Sequence, residues 1–240
     1  VRRYAAAAVL FIVASVAYFA VRDTGILPWH KQDPQWVTLA IESGTHGELT
    51  LSDGTLIRLD AGSVLQYPKS FAGDERAVEL SGEGYFEVAS NPQKPFVVRA
   101  NHAVVKVLGT QFNLRAWQAE QRVTVAVAEG RVALGSAEKE ETAVEIALGQ
   151  MSTLAQSGPP SQPQRVDIDK HLGWMHREAF FDSAPLREIL YQLERWYNVQ
   201  FILEDASIAA EKLTLHIEAQ SLDDVLELIS ALTDLHYQRS

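Results

Sequence analysis

Residues 83–90 read Glu-Gly-Tyr-Phe-Glu-Val-Ala-Ser, and in them Gly84, Phe86 and Val88 alternate with Glu83, Tyr85 and Glu87. A period of two belongs to a β-strand, whose successive side chains point to opposite faces of its sheet. Outward from this stretch the same pattern recurs in short runs: VTLAIE, GELTL, TLIRLD, SVLQYP and AVELS before it, PFVVRA, HAVVKVL, QFNLRAW, RVTVAVA, RVALG and AVEIAL after it. Asp53-Gly54, Gly73-Asp74, Asn91-Pro92 and Glu129-Gly130 punctuate the runs as turns. No helical period of useful length intervenes. The expectation is an all-β domain over residues 36–155, either a sandwich or a solenoid-like stack of winding strands. Glu83 and Glu87 share one face of their strand at roughly 13 Å. That separation is too wide for paired acid and base work and predicts a solvated face. Val-Leu-Gly-Thr-Gln-Phe-Asn at 107–113 reads as a buried strand with Gly109-Thr110 in its middle. Glycine weakens a sheet at such a place unless another backbone approaches closely.

Downstream, Gln-Ser-Gly-Pro-Pro-Ser-Gln-Pro-Gln-Arg at 156–165 has three prolines and no large apolar side chain, which predicts an interdomain linker within 156–170. Beyond it the period becomes helical. Leu186, Ile189, Leu190, Leu193, Trp196 and Tyr197 fall on one face of a helix that opens after Asp182-Ser183, with Pro185 in its first turn, and closes near Asn198. Leu222, Val225, Leu226, Ile229 and Leu232 form a second such face after Ser221, whose spacing to Asp224 suits a capping box. Shifting the chain by 36 residues superimposes the two helices and pairs Phe181 with Ile217 and Phe201 with Tyr237. With EAFF, VQFIL, LTLHI and HYQ as flanking strands, residues 171–240 are expected to form a small α+β module of two β-α-β repeats. Its small sheet would keep an open edge able to accept a strand from another chain.

At the other end, Tyr4 to Val21 is an uncharged run flanked by Arg2, Arg3 and Arg22. At about 1.5 Å per residue it reaches roughly 27 Å, close to the hydrocarbon thickness of a bilayer. A cleaved signal peptide is the rival reading, with Ser15-Val16-Ala17 as its cleavage site. The run continues past that site to a charge, which favours a membrane helix at 4–21, after a cytoplasmic stub at 1–3 and before a stalk at 22–35 that contains Pro28 and Pro34. Arg2 and Arg3 then orient everything from Asp23 onward outside the cytoplasm. The chain holds 21 basic and 31 acidic residues, and the three arginines flanking the run leave the remainder strongly acidic. Nucleic acid is a poor partner for such a surface. Cysteine is absent, so disulfides and thiolate metal sites are excluded. The first residue is Val1 rather than methionine, which raises the expectation that a cytoplasmic segment precedes it.

Catalytic constellations are not apparent. The histidines at 30, 46, 102, 171, 176, 216 and 236 lack ligand spacing, Gly62-Ser63 lacks the context of a nucleophile elbow, and there is no phosphate loop. The expectation is a protein that is not an enzyme and carries no metal or cofactor. Trp196-Tyr197 sits at core-packing spacing on its helix.

Several phrases occur together in one order: LSDGTLIRLDAGSVLQYP (51–68), VELSGEGYFEV (78–88), PFVV (95–98), VLGTQFNL (107–114), VAEGRV (127–132) and LERWY (193–197). In this the chain resembles the FecR family of bacterial transmembrane sigma-factor regulators, and its C-terminal module is similar to the secretin and TonB short N-terminal fold. The resemblance implies an inner-membrane, single-pass signalling protein with its bulk in the periplasm. Its expected partners are the periplasmic signalling domain of an outer-membrane TonB-dependent transducer, commonly for iron-siderophore or haem uptake, and an extracytoplasmic-function sigma factor. Family members hold the sigma factor through an N-terminal cytoplasmic domain, and only Val1 to Arg3 precede the apolar run here. Periplasmic and intramembrane proteases are further implied partners, with 22–35 as the accessible stalk. The alternative is a periplasmic module of a secretin or TonB-dependent transport machine.

The resemblance also bears on Gly109-Thr110, since some family members self-cleave at such a bond by attack of the threonine hydroxyl on the glycine carbonyl. Glycine and threonine suit that chemistry, but a base is missing: in a continuous strand His102 would lie about 26 Å away. For partner binding, the sequence nominates Leu193, Trp196, Tyr197, Phe201, Leu213, Leu215 and Ile217 of the open-edged module, with the proline-rich linker allowing it to reorient.

Overall fold

The computed structural model describes residues 35–138, 142–218, 221–233 and 235–238. The expected stub and membrane helix, and the stalk up to residue 34, lie outside the described residues. No helix among those described is long and apolar enough to cross a membrane.

Thirteen strands form the first part of the fold: β1 Trp36–Ala40, β2 Gly47–Thr50, β3 Leu56–Leu59, β4 Val64–Pro68, β5 Arg76–Glu87, β6 Phe96–Ala100, β7 Ala103–Val107, β8 Gln111–Ala116, β9 Arg122–Glu129, β10 Arg131–Ser136, β11 Val144–Ala147, β12 Gln150–Ala155 and β13 Gln164–Arg165. One sheet contains β1, β4, β6, β7, β10 and β11, the other β2, β3, β8, β9, β12 and β13, and β5 belongs to both. The first half of β5 pairs with β4 and β6, and the second half with β3 and β8. Every pairing described in this domain is antiparallel except β5 with β6. That antiparallel wiring makes the domain a sandwich and not a winding stack.

Gly82 is where β5 passes from one sheet to the other. Its φ is 118°, and a Cβ there would lie 2.8 Å from Ser63 Cα, so only glycine lets the two strands meet. Ser63 Oγ fixes the crossing, donating to the Glu83 carbonyl and accepting from the Glu83 N–H, each at 3.0 Å.

Between the sheets lies a core that includes Ile57, Leu65, Val78, Phe86, Phe96, Phe112, Leu114, Val125, Leu134 and Ile146. Phe86 and Phe112 stack at 5.1 Å. Burying one such side chain stabilises the fold by about 1.5–3 kcal/mol, so this layer dominates the domain's stability.

Stretch 107–113 is not one strand. Leu108, Gly109 and Thr110 form the corner at which the chain leaves β7 in one sheet and enters β8 in the other. A Cβ on Gly109 would lie 2.7 Å from Ser90 Cα, so the glycine admits a neighbouring backbone.

The C-terminal module comprises α1 Ile168–Leu172, a 3₁₀ turn at Gly173–His176, β14 Glu178–Pro185, α2 Leu186–Tyr197, β15 Lys212–Glu218 and α3 Leu222–Thr233. Pro185 is the N-cap of α2, one residue before the expected position, and Asn198 in the left-handed region ends the helix with its N–H on the Glu194 carbonyl. Ser221 and Asp224 exchange the reciprocal bonds of a capping box before α3. β14 and β15 pair antiparallel, aligning Ala179 with Ile217 and Phe181 with Leu215.

The expected second strand of each repeat does not form. Residues 199–203 alternate inward and outward as a strand would, with Phe201 turned in and Ile202 exposed, yet they join no ladder. The Phe201 N–H is taken by Glu194 Oε1 instead. Nor do 235–238 form a strand, and His236 and Tyr237 are exposed. A side-chain period fixes which way residues face, whereas a strand also needs a neighbouring backbone to pair with.

The proline-rich segment is not a free hinge. Its β13 pairs with β12, and Ser161 exchanges hydrogen bonds with Ser152 and Thr153 on the same strand. α1 begins at Ile168, inside the expected linker.

Candidate functional site

The module docks on the outer face of the second sheet, over β5 and β8. Its core is built jointly: Ala61 and Tyr85 of the β domain pack with Trp174, Leu186, Ile189, Leu190, Leu193, Trp196, Leu213, Leu215, Ile217, Val225 and Ile229. Tyr85 is outward-facing on β5 because Phe86 faces inward, so alternation alone puts Tyr85 and its neighbour Glu83 under the module. Glu83 is therefore buried at 3% exposure, which corrects the expectation of a solvated face. A pattern read along one strand records two faces but not what later covers them.

At the centre of this contact lies Asp60, wholly buried. Its carboxylate accepts from the Ala61 N–H at 2.8 Å, from Trp196 Nε1 at 3.1 Å and from Gln192 Nε2 at 3.1 Å, and His46 Nε2 lies 3.2 Å away. Gln192 and Trp196 belong to α2, so one carboxylate joins the two bodies. Beside it, Glu83 accepts from Asn113 Nδ2 at 2.8 Å and from Arg115, while Asn113 Oδ1 accepts from Trp174 Nε1 at 3.0 Å. Arg115 also donates to Glu120 and to Gln192 Oε1, and Arg122 of β9 holds Glu188 in the first turn of α2 by two hydrogen bonds.

Burial pushes the Glu83 carboxyl above its ordinary value, with Asp60 and Glu120 adding to the effect and Arg115 and Asn113 opposing it. Burial also works against the Arg115 charge, but Glu83, Glu120 and Asp60 outweigh it and hold this guanidinium above the usual arginine value. For Arg195 the balance tips the other way, because burial and the Arg115 charge outweigh Asp60, Glu120 and Glu83 and lower it to about 10. Its guanidinium lies 3.9 Å over the Trp117 ring and donates to Gln192 Oε1 at 2.8 Å, and its stem packs where a Cβ on Gly62 would stand 3.3 Å away.

The residues that the sequence nominated fall into two groups. Leu193, Trp196, Leu213, Leu215 and Ile217 are buried in the shared core, and Tyr197 and Phe201 are half-buried against it. Their side chains build and seat the module, and the helical face that looked sticky in the sequence packs into this shared core. Gly109 and Thr110 sit elsewhere, at the corner before β8. The Thr110 hydroxyl donates to the Arg131 carbonyl at 2.9 Å, and a Cβ on Gly130 would lie 3.2 Å from the Gly109 carbonyl oxygen. His102, the only base considered for the pair, is at the far end of β7 with Nε2 on the Ala155 carbonyl.

Sequence reasoning overlooked Asp60, Glu83, Asn113, Arg115 and Gln192 as a group. The available signal was Tyr85 between Glu83 and Glu87, since a large aromatic on a face otherwise acidic asks for cover. The phrases that seemed to be separate motifs are two sides of this contact: Asp60, Ala61 and Gly62 of RLDAGS meet Leu193, Arg195 and Trp196 of LERWY.

Comparison with known proteins agrees with this arrangement. A family model described as FecR protein matches residues 37–133, and one described as FecR, C-terminal matches 178–240. Two crystal structures of a candidate anti-sigma factor from Parabacteroides distasonis ATCC 8503 superimpose with a TM-score of 0.78 each, at 29% and 30% identity, over 85% of this chain and 95% of theirs. No curated protein matches the sequence. The two family models lie on the two bodies that Asp60 joins, and the chain belongs to the FecR family.

Proposed function

We propose that this chain is the signal-receiving part of a sigma-factor regulator. It is anchored once in the inner membrane through residues 4–21, with the β domain and the C-terminal module in the periplasm. The signal comes from the periplasmic domain of an outer-membrane TonB-dependent transducer engaged in iron uptake. The sigma factor is an extracytoplasmic-function type, held by a cytoplasmic domain N-terminal to Val1. Family membership and the likeness to the Parabacteroides candidate anti-sigma factor support the sigma-factor role. The observation that carries the receiving role is a module seated on its neighbour through the buried Asp60 contact, with the outer edges of β14 and β15 unpaired among the described residues. An unpaired edge can take up an extended strand by main-chain hydrogen bonds, and binding that favours one arrangement of the two bodies shifts their population by its differential affinity.

Three measurements test this. The chain should retain a purified transducer signalling domain in a pull-down, and failure with every transducer of the same genome would refute the transducer. The complete gene product should co-purify with one extracytoplasmic-function sigma factor, and absence of any would refute the regulator. Alkaline phosphatase fused after Gln238 should be active in whole cells, and an inactive fusion would refute the periplasmic placement.

A further inference from the structure

β1 is the described strand that continues in sequence to the N-terminal 34 residues, and it is lightly held. It pairs only with β4, none of its residues is fully buried, and its first residue faces Pro68, which has no N–H to give. Gln35, just before it, meets Lys69, and Ile41, just after it, pairs with Gly62 and Ser63.

The loop at 42–46 then crosses to the C-terminal module. Gly44 commits both of its backbone groups there: its N–H donates to the Arg195 carbonyl at 2.7 Å, and its carbonyl accepts from Arg177 at 3.0 Å. Its φ of 81° is what a glycine allows. Two residues on, His46 sits edge-on to Trp174 at 5.7 Å and reaches Asp60. The residues that seat the module thus also grip the loop next to the first strand.

We propose that this loop is a strap: docking of the C-terminal module holds β1 in place, and undocking loosens the strand by which the β domain joins the N-terminal part of the chain. Nothing else among the described contacts ties residues 42–46 down except their own Glu42–Thr45 turn and the His46–Asp60 approach. Release of Trp174, Arg177 and Arg195 would remove both bonds of Gly44 and one side of His46 together. An event at the module, far along the sequence, would thereby reach residue 36 through this short loop. The coupling concerns this chain alone, so it stands or falls separately from the sigma-factor reading.

The absence of cysteine makes the test clean. A Cβ placed on Gly44 lies 4.0 Å from Asn198 Cβ, inside the range of about 3.5–4.5 Å that a disulfide spans. In the full chain in detergent micelles, the double variant Gly44→Cys with Asn198→Cys would carry one bond that locks the loop to the module. Hydrogen exchange by mass spectrometry then compares its oxidised and reduced forms, which share any strain from replacing Gly44. Amides 36–41 should exchange on the order of tenfold more slowly when oxidised. Equal exchange in the two forms overturns the proposal. In a second variant, Arg177→Ala, amides 36–46 should exchange faster while 56–59 in β3 keep the parent rate. No change at 36–41, or the same acceleration in β3, would equally overturn it.

Discussion

Replacing Asp60 by asparagine changes almost no volume, so its effect isolates the polar contact between the two bodies. The carboxylate has acceptors only, and donors meet it from both sides: Trp196 Nε1 and the Ala61 N–H on one oxygen, Gln192 Nε2 on the other. Asparagine can keep its oxygen toward Trp196, but its amide then faces the Gln192 amide donor to donor. Gln192 cannot simply turn over, because its Oε1 already accepts from Arg115 and Arg195. One buried donor is left without an acceptor, at about 1–3 kcal/mol, and the remaining bonds lose their charge assistance. Together these give a loss of about 3–5 kcal/mol, a large share of the roughly 5–15 kcal/mol that holds a typical domain folded. Urea unfolding of the full chain in micelles, followed by tryptophan fluorescence, reports on it directly, since Trp174 and Trp196 are both in the contact. A loss below about 1 kcal/mol would refute the reasoning, as it would mean that water reaches Asp60 and the contact is not closed.

Other outcomes follow from the same geometry. Arg195→Met should stay within about 1 kcal/mol of the parent in the same unfolding assay, because the guanidinium is disfavoured by burial and by Arg115 and its Nε has no partner among the described residues. A loss above about 3 kcal/mol would show the cation to be required. For Glu83, whose folded pKa is raised, the native state binds the proton more tightly, so its contribution is full below the ordinary glutamate value of 4.5 and declines as pH rises through the raised value. Unfolding measured between pH 4 and pH 8 should show that slope in the parent and lose it in Glu83→Gln; identical slopes would refute the assignment. Gly109→Ala should cost about 1–3 kcal/mol, since its methyl would meet the Ser90 backbone; thermal unfolding at the parent temperature would contradict this. With the Thr110 hydroxyl committed to the Arg131 carbonyl, the purified parent and Thr110→Ala should each run as one intact band on a denaturing gel. Two fragments from the parent alone would show that the bond cuts itself.

The β domain was legible because most of its strands keep an apolar side toward one core, and residues such as Ile57, Leu59 and Phe86 announce that side by period. Gly109 was legible as a site of close approach, yet the break at 108–110 was not, since β7 and β8 carry the same alternation and their change of sheet depends on what lies across from them. The helices α2 and α3 and the Ser221 cap were readable from local chemistry. The absence of ladders at 199–203 was not, because Phe201 and Ile202 alternate whether or not a neighbour pairs with them. The contact around Asp60 was the least legible feature. Its members are polar residues on strands, a loop and a helix, with Asp60 more than 130 residues from its partners on α2, and polar side chains announce a partner only once both are placed.

Because β5 is a member of both sheets, the β domain has no half that could melt while the other persists. β6 holds residues 76–79 of this strand while β3 and β8 hold residues 82–87, so one continuous twelve-residue backbone carries both sheets, and heat or denaturant should take the sandwich apart in one transition. The same strand must find neighbours that precede it and neighbours that follow it, and the chain must be complete to β12 before β9 gains its outer partner. Assembly dominated by such distant pairings is slow, which leaves newly made copies exposed to chaperones for longer than a helical domain of equal size would be.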